Sequence, residues 1–200
     1  LQFKKKDVHN LNKVIFGSLS RWNVQKNHKF MLESFGKLKK RKYHNFKLIL
    51  AGQGLNNKDK ELLQLIKKND LKKEVILRDW VEDTQSFFFE LDVHILTSIG
   101  EAFPNVLCES MLNKVPCISS NVGDVANILG STGWLFEVNN YDDLQNIFES
   151  IFIEINNHKM WNIRKDISRD RIVNNFGIDL MLQNYYQVWK PSSHNEVILK

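Results

Sequence analysis

The chain is poor in cysteine. Its 200 residues include only Cys108 and Cys117, both in or beside apolar stretches, and neither has a partner at metal-ligand spacing. That excludes a disulfide scaffold and predicts two reduced packing residues in a reducing compartment. Long apolar runs are also missing. No stretch reaches the roughly eighteen residues that a membrane-spanning helix needs. The basic start, Leu1-Gln2-Phe3-Lys4-Lys5-Lys6, has no apolar core behind it, so no signal peptide is legible. There is no Cys/His metal constellation, no Asp-x-Asp pair for a divalent ion, no nucleophile elbow and no full Gly-x-Gly-x-x-Gly fingerprint. Repeats and low-complexity segments are absent too. Charge of one sign is only mildly in excess. A net charge of +5 favours phosphate-bearing small molecules or an anionic membrane surface without indicating nucleic acid. The first residue is Leu rather than Met, which suggests a piece of something longer.

What is present is ample core material, with 42% hydrophobic and 26% charged residues, in a repeating order. Short β-branched runs at 14–19, 47–51, 75–77, 92–96, 116–119 and 134–136 read as strands. Amphipathic stretches at 27–42, 58–69, 84–90, 104–113, near Val125, 141–155, 159–174 and 178–189 read as helices. Pro104 is placed in the first turn of its helix, where a missing N–H costs nothing. Strands without polar alternation, each followed by a helix, predict an α/β fold: a doubly wound parallel sheet in a single Rossmann-like domain. Residues 1–12 form a leading segment or linker, 13–190 the domain, and 191–200 a disordered tail. Such sheets bind ligands at the carboxyl ends of their strands, so the loops after the strands are where chemistry is expected.

Two of those loops stand out. Ser20 to His28 leaves the first strand and enters a helix. It carries Arg21 and Lys26, five residues apart beside a helix N-terminus. This is either an anion trap, with a planar guanidinium and a point charge added to free helix amides, or a solvated basic turn. Ser98 to Glu109 also joins a strand to a helix. Gly100 permits close backbone approach, and the N–H groups near Asn105 and Val106 are unpaired first-turn donors. Glu101 and Glu109 could accept from paired sugar hydroxyls, or could simply complement the helix dipole. Weaker signals are the Gly52-Gln53-Gly54 turn, the polar turn 119–124, which either lines the cleft or caps a helix through Ser120 or Asn121, and Trp80, either a base-stacking or a rim-packing aromatic. Phe87-Phe88-Phe89 reads as core and His94 as a satisfied core histidine. The cluster Lys37, Lys39, Lys40, Arg41 and Lys42 sits where a helix ends, which favours cations, and it could also touch anionic lipid.

Taken in order, these loops resemble the C-terminal domain of family 4 (group 1) retaining glycosyltransferases, which have the two-domain GT-B fold. Ser20 to His28 is similar to that family's Gly-Arg-x-x-x-x-Lys segment, with Ser20 in place of Gly. Leu48 to Gly54 matches its strand and Gly-x-Gly turn, Glu101 to Glu109 its E-x7-E signature, and Val115 to Asp124 the expected continuation. The resemblance spans roughly Val14 to Ile155. It implies that Arg21 and Lys26 bind the donor diphosphate, that Glu101 lies by the donor sugar and that Glu109 holds the ribose hydroxyls. Around the donor it also implies Gly52, Gly54, Gly100, Ala102, Phe103, Pro104, Asn105 and Val106. The implied donor is a UDP- or GDP-sugar, with no metal and no other cofactor. The implied acceptor is a glycan or lipid-linked glycan in surface polysaccharide or lipopolysaccharide synthesis, reached by a front-face route. Complete members carry an N-terminal acceptor domain for which this chain has no room. The expected location is the cytoplasm, with peripheral contact on the inner face of the cell membrane as an option and no nucleic-acid partner. The alternatives are a GT-B nucleotide-sugar epimerase and a non-catalytic nucleotide-sugar-binding domain. A phosphorylase would need a lysine-bound pyridoxal, for which there is no signal.

Overall fold

The computed structural model describes residues 13–41, 43 and 45–190. The expected leading segment, the expected tail and Lys42 lie outside the described residues. Six strands form one sheet: β1 (Val14–Leu19), β2 (Phe46–Ala51), β3 (Val75–Arg78), β4 (Val93–Leu96), β5 (Cys117–Ser120) and β6 (Trp134–Phe136). Their order is β3-β2-β1-β4-β5-β6 and every pairing is parallel. The helices are α1 (His28–Lys40), α2 (Lys60–Lys68), α3 (Thr84–Phe89), α4 (Asn105–Leu112), α5 (Val125–Leu129), α6 (Tyr141–Glu154), α7 (His158–Asn175) and α8 (Ile178–Trp189). The chain winds outward from β1 to β3, then crosses back to β4 on the other side of β1. This is the doubly wound arrangement expected from the alternation.

Strand periodicity assigns the two faces. Phe16, Leu48, Leu50, Val93, Ile95 and Ile118 point to the side covered by α1, α2 and α6. Phe16 sits at its centre, with ring centroids 5.1 Å from Phe35 and 5.5 Å from Phe148. The opposite face divides into two clusters. One gathers Ile49, Ala51, Leu91 and the α3 phenylalanines; the other packs β4 and β5 against α4, α5 and α7. Phe87 and Phe88 are buried there, but Phe89 is 67% exposed, so only two of the three phenylalanines are core. A six-residue helix cannot turn three consecutive side chains to one face.

Side-chain caps set the starts of four of the eight helices among the described residues, α2, α3, α6 and α7. Asp59 accepts from Leu62 N at 2.8 Å, which starts α2 at Lys60 rather than at Lys58. Asn140 accepts from the amides of Asp142 and Asp143, and Asn157 from that of Met160. Pro104 is the N-cap of α4, with extended ψ of 94°, and the first helical residue is Asn105. The proline therefore stands one position earlier than the sequence suggests, because a helix disfavours continuing through the residue before a proline but tolerates the ring just outside its first turn. Helix α8 buries none of its side chains. No helix among the described residues is long and apolar enough to cross a membrane.

Candidate functional site

The strand order opens a crevice between β1 and β4. The chain leaves β1 toward one face and β4 toward the other, so the loops above these strands part company. The β1–β4 ladder registers Phe16 with Val93 and Gly17 with His94. Above it, Leu19 N–H donates to His94 Nε2 at 3.3 Å, so a buried side chain satisfies an amide where the strands separate. An acceptor at Nε2 puts the proton on Nδ1 and leaves the ring neutral. Burial agrees, pushing the imidazole down to about 3. His94 is thus a core histidine, as its place in an apolar strand suggests, but only half satisfied: Nδ1 is buried without a hydrogen-bond partner among the described residues.

Hydrogen bonds tie the loop after β1 to the loop after β4 above the crevice. The Lys26 ammonium lies 2.5 Å from Glu101 Oε1, and Ser98 Oγ donates to the same oxygen at 2.6 Å. Both charged side chains are largely covered, at 18% and 11% exposure, so each would be costly to strand alone. Gln25 Nε2 donates to Gly100 O at 2.6 Å, and Ile99 N to Gln25 O at 2.9 Å. Thr97 Oγ1 donates to the carbonyls of Lys26 and Asn27. A 3-10 turn at Val24–Lys26, capped by Asn23, and a left-handed Asn27 at φ 52° place Lys26 over the crevice before α1 begins.

Arg21 rises from the β2 side of the same end. Its neighbours Ser20 and Trp22 donate their amides to Ala51 O and Gln53 O, each at 2.9 Å. Arg21 is exposed and has no ion pair among the described residues. Gly52, at φ +130°, is obligatory here: a Cβ would stand 2.3 Å from Ser20 O. Below Arg21, Ser20 Oγ and His28 Nε2 share a 3.1 Å hydrogen bond, and the His28 ring centroid is 5.3 Å from that of Trp22. Burial, helped by the Lys26 charge, pushes His28 down to about 4, so the crevice floor is neutral. Gly54 N donates to Asp79 Oδ1 at 2.8 Å, so that turn is closed by the β3 loop.

On the other side, Ala102 and Phe103 are exposed and Pro104 is buried at the mouth of α4. The first-turn amides of Asn105 and Val106 have no intrahelical partner by geometry. Glu109, four residues beyond Asn105, shares its helix face. Partial burial raises its carboxyl above the usual range. The space beside Gly100 is open, so nothing within the chain itself requires a glycine there.

The structure adds residues that the sequence reading passed over. Gln25, Thr97 and Ser98 hold the two main loops in register; short polar side chains in a loop give no periodic signal that would single them out. The turn at 119–124 braces Glu101. Asp124 N donates to Ala102 O at 2.9 Å, and a Cβ on Gly123, at φ +52°, would lie 2.1 Å from Glu101 O. Ser120 Oγ donates to Ser98 O, and Asn121 Nδ2 to Glu137 Oε1. Neither caps a helix: the N-cap of α5 is Asp124, with no side-chain bond. Trp80 is 73% exposed and packs into no cluster. Cys108 and Cys117 are free thiols that burial pushes up to about 11 and about 12, so both are unreactive. No group of His, Cys, Asp and Glu among the described residues is arranged to hold a metal ion.

Arg21, Lys26 and the mouth of α4 thus share one end of the sheet. A guanidinium, an ammonium and free amides beside two carboxylates suit a ligand with a diphosphate and hydroxyl groups.

The chain is 30% identical over 127 residues to the UDP-Gal:alpha-D-GlcNAc-diphosphoundecaprenol alpha-1,3-galactosyltransferase of Escherichia coli, covering 60% of this chain and 32% of that one. It is likewise 30% identical over 110 residues to the putative glycosyltransferase EpsF of Bacillus subtilis, covering 55% and 28%. Among solved structures, a glycosyltransferase from Rickettsia africae superposes with a TM-score of 0.77 at 23% identity, over 90% of this chain and 49% of that one. Anabaena HepE with UDP and glucose gives 0.74 at 20%, over 88% and 48%. The C-terminal domain of LpcC from Francisella tularensis gives 0.69 at 21%, over 84% and 88%. The chain therefore spans about a third of the curated relatives and about half of the full-length structures. The profile described as "Glycosyl transferases group 1" matches residues 2–165, and the chain belongs to that family.

Proposed function

We propose that this chain is the donor-binding half of a retaining hexosyltransferase. In this reading it holds a UDP- or GDP-sugar by its diphosphate, and the sugar passes to a glycan or lipid-linked acceptor in surface polysaccharide synthesis. The observation that carries the proposal is the Lys26–Glu101 contact at 2.5 Å, which locks the cation-bearing loop after β1 to the loop that opens α4. Support for the acceptor class comes from the E. coli relative, named for a diphosphoundecaprenol substrate, and from a second relative named for O-antigen biosynthesis. An acceptor domain outside this sequence completes the cleft, so the 200-residue chain alone transfers little sugar. A lipid-linked acceptor calls for a protein lying against the inner face of the cell membrane.

Chemically, the barrier lies in breaking the bond between the sugar and the phosphate. Negative charge grows on the departing diphosphate. In this reading Lys26, held by Glu101, and the amides at Asn105 and Val106 stand beside the place where that charge appears, and the exposed Arg21 guanidinium reaches over to it; oriented donors of this kind stabilise developing charge. We assign Glu101 to the donor sugar and Glu109 to the ribose hydroxyls. Gly52, Gly54, Gly100, Ala102, Phe103 and Pro104 shape the wall between them. The cations and amides serve without a metal, so chelators leave donor binding intact.

The test is a thermal-shift panel of UDP-, GDP- and ADP-sugars. A ligand that binds only the folded chain raises its apparent melting temperature in a saturable way. One nucleotide class is expected to do so, with the shift lost in Arg21→Ala. A panel with no shift, or a shift equal in wild type and Arg21→Ala, refutes the proposal. For the complete enzyme, the anomeric configuration of the product, read by NMR, decides retention.

A further inference from the structure

Positive charge is concentrated in a segment that gives the crevice little beyond its Gly52-Gln53-Gly54 turn. Residues 29–74 contain thirteen Lys and Arg against five Asp and Glu, a local excess of eight in a chain whose net charge is +5. The rest of the chain is therefore net negative. Some of these cations are paired: Lys39 lies 3.1 Å from Asp70 and 3.2 Å from Glu74 within the segment, and Arg41 pairs with Glu149 outside it at 3.4 Å. Lys40, Lys67, Lys68, Lys72 and Lys73 are exposed and have no ion pair among the described residues.

The fold gathers these lysines along the β3 edge of the sheet. Lys67 and Lys68 end α2, Lys72 and Lys73 lie in the turn into β3, and Lys40 ends α1 beside Asn69 and Asp70. A groove of about 680 Å³ runs between α2 and β3, lined by Leu63, Gln64, Lys67, Lys72, Val75 and Ile76. Leu63 and Ile76 are 38% and 40% exposed. Helix dipoles account for cations in the last turns of α1 and α2, but not for Lys72 and Lys73, which lie beyond any helix, nor for exposed aliphatics set among them.

We infer that the α2–β3 edge docks on anionic lipid headgroups, with Leu63 and Ile76 entering the boundary of the acyl region. This rests on the lipid-linked acceptor of the proposed function for its purpose, though its chemistry stands on the edge itself. Lysine stems lie over apolar surface while their ammonium groups reach the headgroups, and each added cation near an anionic bilayer strengthens attachment. Two other occupants fit less well. Single-stranded nucleic acid is held by stacking on aromatic side chains, and none lines this groove. An added peptide strand needs outward-facing backbone groups on β3, and Val75 N is already bonded to Leu71 O at 3.0 Å. A sheet resting on its β3 edge also keeps the crevice, at the strand ends, alongside the bilayer rather than pointing away from it.

The experiment uses the full chain with sedimented vesicles of phosphatidylcholine alone and of phosphatidylcholine with about a third phosphatidylglycerol. Three proteins of known circular dichroism are compared: wild type, Lys67→Glu/Lys68→Glu/Lys72→Glu, and a control with the same charge change, Lys159→Glu/Lys165→Glu/Lys190→Glu. Wild type is expected on anionic vesicles only, released by high salt. The edge variant should lose at least about ten-fold in partitioning and the control less than about two-fold. Equal losses in both variants, equal binding to neutral vesicles, no binding to anionic vesicles, or tighter binding to a single-stranded oligonucleotide would each overturn the inference. The same samples are titrated with UDP- and GDP-glucose. A flat titration beside intact partitioning condemns the donor reading alone, and the reverse pattern condemns the lipid reading alone.

Discussion

The core beneath α1 and α6 and the crevice above β1 and β4 are built by opposite means. The core is aromatic and aliphatic, centred on Phe16, Phe35 and Phe148, with no titratable group among its buried members. The crevice is held by polar bonds between loops, one ion pair, three glycines at positive φ (Gly52, Gly54 and Gly123), and two buried neutral histidines at and just below its floor. The difference teaches that stability and function are separable here. The core sets how firmly the sheet is held, whereas the crevice sets what it can bind and how it responds to pH.

The largest expected effect exploits the histidines. His28 and His94 sit near 4 and 3 when folded and near 6.5 when unfolded. Between pH 6.5 and pH 4 the unfolded chain binds more protons than the folded one. Their stabilisation is therefore complete above pH 6.5 and is lost as pH falls through that window toward the folded values, by about 6 kcal/mol for the two rings at pH 4. Urea titrations across the range check it; a stability flat from pH 6.5 to 5 would contradict the burial of both rings. Next comes the core. Phe148→Ala should cost about 3–5 kcal/mol in the same assay while leaving donor affinity of the folded protein unchanged. A loss of affinity there would break the separation of the two regions.

A smaller effect, confined to the crevice, is expected from Arg21→Ala. Loss of one charged hydrogen bond, about 1.5–3 kcal/mol, lowers donor affinity roughly ten- to a hundred-fold by titration calorimetry, with stability within about 0.5 kcal/mol of wild type. Gly123→Ala joins the two regions, because its Cβ would meet Glu101 O. It should destabilise by more than about 1 kcal/mol and weaken donor binding together, as melting and calorimetry on one sample will show. The smallest effect is that of Glu109. Its raised pKa means that its ionisation opposes folding as pH rises from the ordinary value of 4.5. If ribose hydroxyls donate to the carboxylate, donor binding tightens over that same rise, and Glu109→Gln flattens the profile.

Much of the architecture was legible because it rests on periodicity. Apolar runs such as Leu48 to Ala51, followed by amphipathic stretches, imply a covered parallel sheet, and all six strands fall where that pattern puts them. Helix ends were read less well, since they depend on single caps such as Asp59 and Asn140 that resemble any other polar residue. At the crevice, the charged residues Arg21, Lys26, Glu101 and Glu109 were visible as isolated signals. The family resemblance implied that they gather around one donor, but not that Lys26 and Glu101 touch, because the two lie 75 residues apart and meet only through the strand order. Gln25, Ser98 and Gly123 escaped notice because their role is defined by partners distant in sequence. The third phenylalanine of 87–89 misled for a related reason: apolar type does not reveal which way a short helix faces.

The central claim is that one diphosphate meets Arg21, Lys26 and the opening of α4 together. A crystal structure of the chain with bound UDP tests it most directly. The account predicts phosphate oxygens within hydrogen-bonding reach of the Arg21 guanidinium, Lys26 Nζ and the amides of Asn105 or Val106, with the ribose toward Glu109. Density for the nucleotide elsewhere, against the α2–β3 lysines for instance, with an empty crevice, would contradict it.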